Sequence, residues 1–255
     1  MELIKSVKAA IFKMAWALGY KIERVSAPPP PHYLQRDERY ASIMNAAEPF
    51  TMTTYESMGA LIDATRYVTQ AKILGAIVEC GVWRGGSMMI SAMTLLESGD
   101  IRDLYLFDTY AGMTKPSDQD IDFRGVAAKK KFIDSMEADH NEWCYASMED
   151  VRKNVLSTGY PKEKCHFIKG DVMQTLPHES LSEIAILRLD TDWYDSTLHE
   201  LKHLYPLLRE DGILFIDDYG YWQGCKKAVD EFFGEFGPFK CTIDLSCRLV
   251  VKPRT

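Results

Sequence analysis

Basic charge is scarce in this 255-residue chain. Lys and Arg total 30 against 37 Asp and Glu, a formal net charge of −7, and the only basic run is Lys129-Lys130-Lys131. Nucleic-acid binding usually demands a basic face, so the balance argues against nucleic acid as the main partner. Long apolar runs are missing too; none reaches the length that spans a bilayer. The six cysteines (Cys80, Cys144, Cys165, Cys225, Cys241, Cys247) form no CxxC pair and no zinc-ligand spacing. With no secretory signal pattern, they read as reduced thiols of a cytoplasmic protein. There is no GxGxxG run, which disfavours a dinucleotide pyrophosphate, and no internal repeat or low-complexity tract.

What remains is a composition of 46% hydrophobic and 26% charged residues, ordinary for a soluble globular chain that fits one α/β domain with modest additions. Residues 1–26 read as an amphipathic helix, with Leu3, Ile4, Val7, Ile11, Ala15 and Leu18 at helical spacing and Lys5, Lys8, Lys13, Lys21 and Arg24 on its polar side. Two uses are open to it. It packs on its own domain or a second subunit, the favoured reading, or residues 1–24 make weak contact with an anionic membrane surface. Pro28-Pro29-Pro30-Pro31 stiffens the chain beyond this helix, so 27–49 reads as a proline-rich linker and lead-in.

From Thr54 onward helices and strands alternate. A helix is predicted over Thr54–Gln70, a strand over Ala76–Cys80, a helix over Ser87–Glu97 and a strand over Leu104–Asp108. A polar loop over Tyr110–Gly125 suits a lid. Helical stretches follow around Ala127–Glu137 and Met148–Ser157, then a strand over Cys165–Lys169. Strands around Ala185–Leu187 and Gly212–Ile216 flank one helix. A helix over Cys225–Phe236 precedes two short strands, Phe239–Ile243 and Cys247–Val251, read as an antiparallel pair. Such alternation makes a doubly wound, mostly parallel sheet with an antiparallel pair at its C-terminal end.

Four aspartates carry most of the chemistry. Asp190 and Asp192 follow one strand in Leu189-Asp190-Thr191-Asp192-Trp193-Tyr194; Asp217 and Asp218 follow the next in Asp217-Asp218-Tyr219-Gly220. Parallel neighbours end on the same sheet edge, where open α/β sheets bind ligands. Like charges gathered there call for a cation, and a hard divalent ion with oxygen ligands fits. Helix capping explains one acid at each strand end, not four at one edge.

The turn Glu79-Cys80-Gly81-Val82-Trp83-Arg84-Gly85-Gly86-Ser87 joins the first strand to its helix. Its glycines permit close approach of a ligand, and the helix start offers free N–H groups. The acid ahead of the first glycine favours a ligand bearing an ammonium group, such as the amino-acid end of S-adenosylmethionine. Asp108 ends the second strand and can accept from both ribose hydroxyls, or cap a turn. Gly170-Asp171 ends the third, where Asp171 can accept from an adenine amino group.

His199-Glu200-Leu201-Lys202-His203 fits the HExxH pattern of zinc peptidases. A stripe of Leu198, Leu201, Tyr205 and Leu208 toward the core would put both histidines on nearly the opposite face, in solvent and with no third ligand, so this reading is disfavoured. Trp193, Tyr219, Tyr221 and Trp222 cluster near the acids and either line a sugar pocket or belong to the core.

Together, Phe50-Thr51-Met52-Thr53 and residues 78–87, 104–113, 188–200 and 215–224 resemble the macrocin O-methyltransferase family, over roughly residues 45–255. The resemblance implies a methyltransferase domain over 50–255 with a Rossmann-like fold, S-adenosylmethionine and Mg2+. It implies Asp190, Asp217 and Asp218 as metal ligands, and Asp192 as general base, with orientation of a metal-bound water as the alternative. Thr53, Glu79, Gly81, Gly85, Gly86, Ser87, Asp108, Gly170 and Asp171 would surround the cofactor, with a sugar or glycoside hydroxyl as acceptor. After Thr53 the chain reads Thr54-Tyr55-Glu56-Ser57, where the family has a Ser-Pro-Glu-Arg-like run. Family members often form homo-oligomers, which the first helix would suit. A phenolic acceptor, or an inactive cofactor-binding partner protein, are the alternatives.

Overall fold

The computed structural model describes residues 38–235 and 237–254. The amphipathic helix and the prolines expected over residues 1–31 therefore lie outside the described residues. The chain runs α1 (Glu38–Ala47), α2 (Tyr55–Gln70), β1 (Ala76–Cys80), α3 (Gly86–Ser98), β2 (Leu104–Asp108), α4 (Ala128–Asp134), α5 (Met148–Leu156), β3 (Cys165–Lys169), α6 (Val172–Thr175), β4 (Ile184–Leu189), α7 (Tyr194–Leu204), β5 (Leu208–Ile216), α8 (Gln223–Phe233), β6 (Cys241–Thr242) and β7 (Arg248–Val251).

The strands form one sheet in the order β3-β2-β1-β4-β5-β7-β6. The first five are parallel; β7 runs antiparallel to β5, and β6 antiparallel to β7. Every residue of β1 and β4 is buried, as expected of central parallel strands covered on both faces. One face carries Ile77, Leu106 and Ile186 against α1, α2, α3 and α5. The other carries Val78, Leu187 and Leu214 against α7 and α8. Glu79 and Arg188 pair in register across β1 and β4, so both project from the same face.

Three departures from the sequence reading have local causes. The lead-in contains α1, whose Ile43, Met44 and Ala47 join the core of the domain. Helix α8 stops at Phe233 rather than Phe236, because Gly234 adopts a positive φ of 69° as the cap. The strand expected over Phe239–Ile243 shrinks to Cys241–Thr242, because the loop after it folds around Asp244 instead of pairing. That carboxylate accepts from the N–H of Ser246 (2.8 Å) and Cys247 (2.7 Å). No helix among the described residues is long and apolar enough to cross a membrane.

Candidate active site

A cavity of about 900 Å³ opens at the carboxyl ends of the parallel strands. A strap over residues 50–57 and the loop 242–246 form one wall. Thr109, Gly112, Met113, Thr114, Trp143, Cys144, Tyr221 and Trp222 line the cavity as well. The strap and the loop are tied together: Thr54 Oγ1 (2.5 Å) and Ser57 Oγ (2.8 Å) both donate to Asp244 Oδ2. Thr54 also caps α2 by accepting from Ser57 N at 3.1 Å, so the run that departs from the family pattern is an anchored helix start.

The glycine turn lies against the acidic strand end. Gly81 has φ 79°, and a Cβ there would sit 2.0 Å from the carbonyl oxygen of Asp190. Only glycine lets the two strand ends approach this closely. Glu79 is buried beneath the turn, and its Oε2 has no hydrogen-bond partner. Burial pushes its carboxyl up to about 7, against the pull of Arg188. Asp108 holds the turn from β2: Oδ2 accepts from Val82 N (2.8 Å) and Trp83 N (3.2 Å), and Oδ1 from Tyr110 N (2.7 Å). Thr109 Oγ1 lies 3.4 Å from Oδ1 as well, so the turn itself engages most of the roughly four acceptor positions of this carboxylate. Asp171 caps α6 through Met173 N (2.9 Å) with one oxygen.

Of the residues expected around a cofactor, Thr53, Glu79, Gly81, Ser87, Asp108, Gly170 and Asp171 line the cavity. Gly85 and Gly86 stand behind that wall. Gly85 packs on Val151 and Val155, and a Cβ on Gly86 would meet the Phe50 carbonyl at 2.6 Å. These two glycines seat α3 against α5 and the strap.

All four aspartates line the same cavity. Asp190, Asp192 and Asp218 each bring a carboxylate oxygen within 4.8 Å of the others, with Asp192 at φ 68°. Asp217 turns one oxygen to the guanidinium of Arg188. Burial raises all four carboxyls, helped by repulsion within the cluster for Asp190, Asp192 (to about 7) and Asp218 and by Asp244 for Asp217, while Asp218 Oδ2 is buried without a partner. The cluster is short of positive charge, and its donors are all hard oxygens. It fits a divalent cation.

Arg188 was not singled out from the sequence, yet it sits at the centre. Its side chain is 5% exposed. Nη1 donates to Asp190 Oδ2 at 2.6 Å and lies 3.5 Å from Glu79 Oε1; Nη2 lies 2.8 Å from Asp217 Oδ1, off the line of a hydrogen bond. The available signal was a guanidinium inside the apolar run Ile184–Leu189. Trp143 and Lys131 were also missed. Lys131 Nζ stands 4.0 Å over the Trp143 ring and lines the cavity, whereas Lys129 and Lys130 pair with Asp118 and Asp134.

The aromatic cluster divides. Tyr221 and Trp222 line the cavity with Trp143; Trp193 packs behind them and donates Nε1–H to the Thr114 carbonyl at 3.0 Å; Tyr219 donates to Asp230 at 2.8 Å. The HExxH run divides as well. The buried side of α7 is Ser196, Thr197, Glu200, Leu201 and Leu204, not the stripe expected through Leu198 and Tyr205. The His199 and His203 rings lie 4.3 Å apart, tilted by 57°, at the half-buried flank, while Glu200 points into the core.

The sheet order, the antiparallel β7 and the cavity at the β1 and β4 ends are those of a Rossmann-like methyltransferase. The solved structure of the O-methyltransferase NovP superposes with a TM-score of 0.70 at 27% identity, covering 80% of this chain and 83% of that one. The family model for macrocin O-methyltransferase (TylF) matches residues 23–237, and the chain belongs to this family of O-methyltransferases. Demethyldecarbamoylnovobiocin O-methyltransferase of Streptomyces niveus is 30% identical over 192 residues, 74% of this chain and 70% of that one. The 8-demethyl-8-(2,3-dimethoxy-alpha-L-rhamnosyl)-tetracenomycin-C 4'-O-methyltransferase of Streptomyces olivaceus is 32% identical over 166 residues, 64% of this chain and 59% of the relative.

Proposed function

We propose that this chain transfers a methyl group from S-adenosylmethionine to a sugar hydroxyl of a glycoside, with a divalent cation, Mg2+ in the cell, at the aspartate cluster. One observation carries the reading: the cluster shares a single cavity with a buried carboxylate, Glu79, whose free oxygen awaits a cation. The rhamnosyl acceptor named for the Streptomyces olivaceus relative supports a sugar.

On this reading Glu79 Oε2 takes the ammonium of the cofactor, the backbone at Gly81 and the Ser87 hydroxyl take its carboxylate, Asp108 the ribose and Asp171 the adenine edge. Bound S-adenosylmethionine supplies an electrophilic methyl group on a sulfonium. A cation held by Asp190, Asp192 and Asp218, with Asp217 beside them, supplies Lewis-acid activation of the acceptor hydroxyl. The chain's own part is placement and proton transfer. Trp143, Tyr221 and Trp222 offer ring faces to the acceptor. Asp192, at the same edge of the cavity, accepts the hydroxyl proton. Fixing the acceptor oxygen against the methyl donor supplies much of the rate.

Calorimetric titration of S-adenosylhomocysteine into the full chain, with Mg2+ and then with chelator, tests this. Micromolar binding that survives chelation is expected; no binding in either condition would remove the cofactor reading. The titration behaviour of the acids gives a second expectation. Glu79 and Asp192 rise to about 7 from ordinary values of 4.5 and 3.8, so the empty folded state holds protons that the unfolded chain has lost. That contribution to stability is present at acid pH and declines as pH rises from about 4 to 7. Cation binding requires the ionised forms, so Mn2+ binding should release protons and tighten through pH 6 to 8. Titration in buffers of different ionisation enthalpy reads the proton count directly, and an affinity flat with pH would contradict the assignment.

A further inference from the structure

Glu200 is a buried acid that the proposed reaction does not use. It is 0% exposed, on the inward side of α7, directly behind the turn that carries Asp190 and Asp192. Thr191, the residue between those aspartates, places Oγ1 2.9 Å from both Glu200 Oε1 and Ser196 Oγ. Ser196 Oγ donates in turn to the Trp193 carbonyl at 3.2 Å. Proton counting is restrictive. The Thr191 hydroxyl has one hydrogen and two neighbours at bonding distance, and the Ser196 hydrogen is committed to a carbonyl. Every contact is satisfied at once if Glu200 carries a proton and donates it to Thr191, which donates to Ser196. Burial pushes the Glu200 carboxyl well above its ordinary range, in the same direction. The other oxygen, Oε2, has no partner.

An unpaired buried polar atom is costly, and an apolar side chain would pack here at no such cost. Stability therefore does not account for the acid, whereas what it touches does. Asp192 sits at a positive φ of 68°, a conformation that a non-glycine residue holds only when its surroundings enforce it. α7 grips that turn through the Thr191 side chain, and Ser196 Oγ also lies 3.3 Å from the Thr191 carbonyl oxygen.

We propose that Glu200 is a positioning residue: through Thr191 it fixes the turn that aims Asp190 and Asp192 at the cation. This rests on the reading of the aspartate cluster as a metal site. It accounts for the glutamate of the HExxH run, whose histidines lie on a different side of the helix.

The test is Mn2+ affinity of the full chain by electron paramagnetic resonance, alongside thermal unfolding. Glu200→Leu should melt no lower than the parent chain yet bind Mn2+ about tenfold or more weakly, the usual cost of losing a group that orients metal ligands. Glu200→Gln keeps a donor and an acceptor and should stay within about threefold. Thr191→Val should match Glu200→Leu, and the double variant should be no worse than either, since both cut one link. Unchanged Mn2+ affinity in Glu200→Leu, equal losses in Glu200→Gln and Glu200→Leu, or additive losses in the double variant would each overturn the proposal while leaving the metal site standing. A parent chain that binds no Mn2+ would overturn the metal reading, and this proposal with it.

Discussion

Asp190→Asn should lower methyl transfer on the order of 10³-fold, about 4 kcal/mol in the barrier, while leaving the fold intact. The variant keeps the size of the side chain and removes one of four crowded carboxylates. Asp190 is the acid in which the two halves of the site meet, because it faces Asp192 and Asp218 on one side and Arg188 on the other. An amide there weakens the hold on a cation and, through its lost charge, the pull on the guanidinium. Stability is expected to move little, because burial and like charges already push the Asp190 carboxyl up, and relief of that repulsion offsets the weaker bond to Arg188. The measurement pairs labelled-methyl transfer to any acceptor the parent chain methylates with a melting curve. Full activity in Asp190→Asn would sink the metal assignment. Lost activity with a lost fold would make the residue structural instead.

The elements that position this site were legible because each carries a strong local pattern. β1, β2 and β3 match the sequence reading residue for residue, since short apolar runs bounded by glycine, proline and polar residues have few other interpretations. The four aspartates were legible for a related reason: parallel topology sends consecutive strand ends to one edge, so adjacency in space follows from the order of elements. What stayed hidden depends on contacts far apart in sequence. Helix α1 has a weak apolar stripe and is held by α2 and α3, which its own residues do not encode. Asp244 drew no notice in the connection between the last two strands, because its tie to Thr54 spans most of the chain. The buried side of α7 departs from the expected stripe. Only the two histidines were placed from the sequence; Glu200 faces inward, where half-buried Thr191 meets it.

The same blind spot covers Arg188, and there the expected effect is largest on the fold itself. Arg188→Met should destabilise the unliganded chain by about 3–5 kcal/mol near pH 8, the usual cost of removing one partner from a buried charge network. The guanidinium answers carboxylates from three strand ends, Glu79, Asp190 and Asp217, and methionine fills its volume while leaving those acids without their cation. The loss should depend on pH with a definite sign. Each of these acids already sits above its ordinary value with Arg188 present, so without it each rises further. They then remain neutral at pH 5 and cost little. As pH rises toward 8 the unfolded chain ionises them freely and the folded chain does not, so stability falls more steeply than in the parent. Urea unfolding at pH 5 and pH 8 reads both numbers. Added Mg2+ should recover part of the loss at pH 8, because a divalent ion can serve some of the same carboxylates, with recovery growing as RT ln(1 + [Mg2+]/Kd). A deficit equal at both pH values and indifferent to Mg2+ would mean that Arg188 acts by packing alone, and the electrostatic account of this site would have to be abandoned.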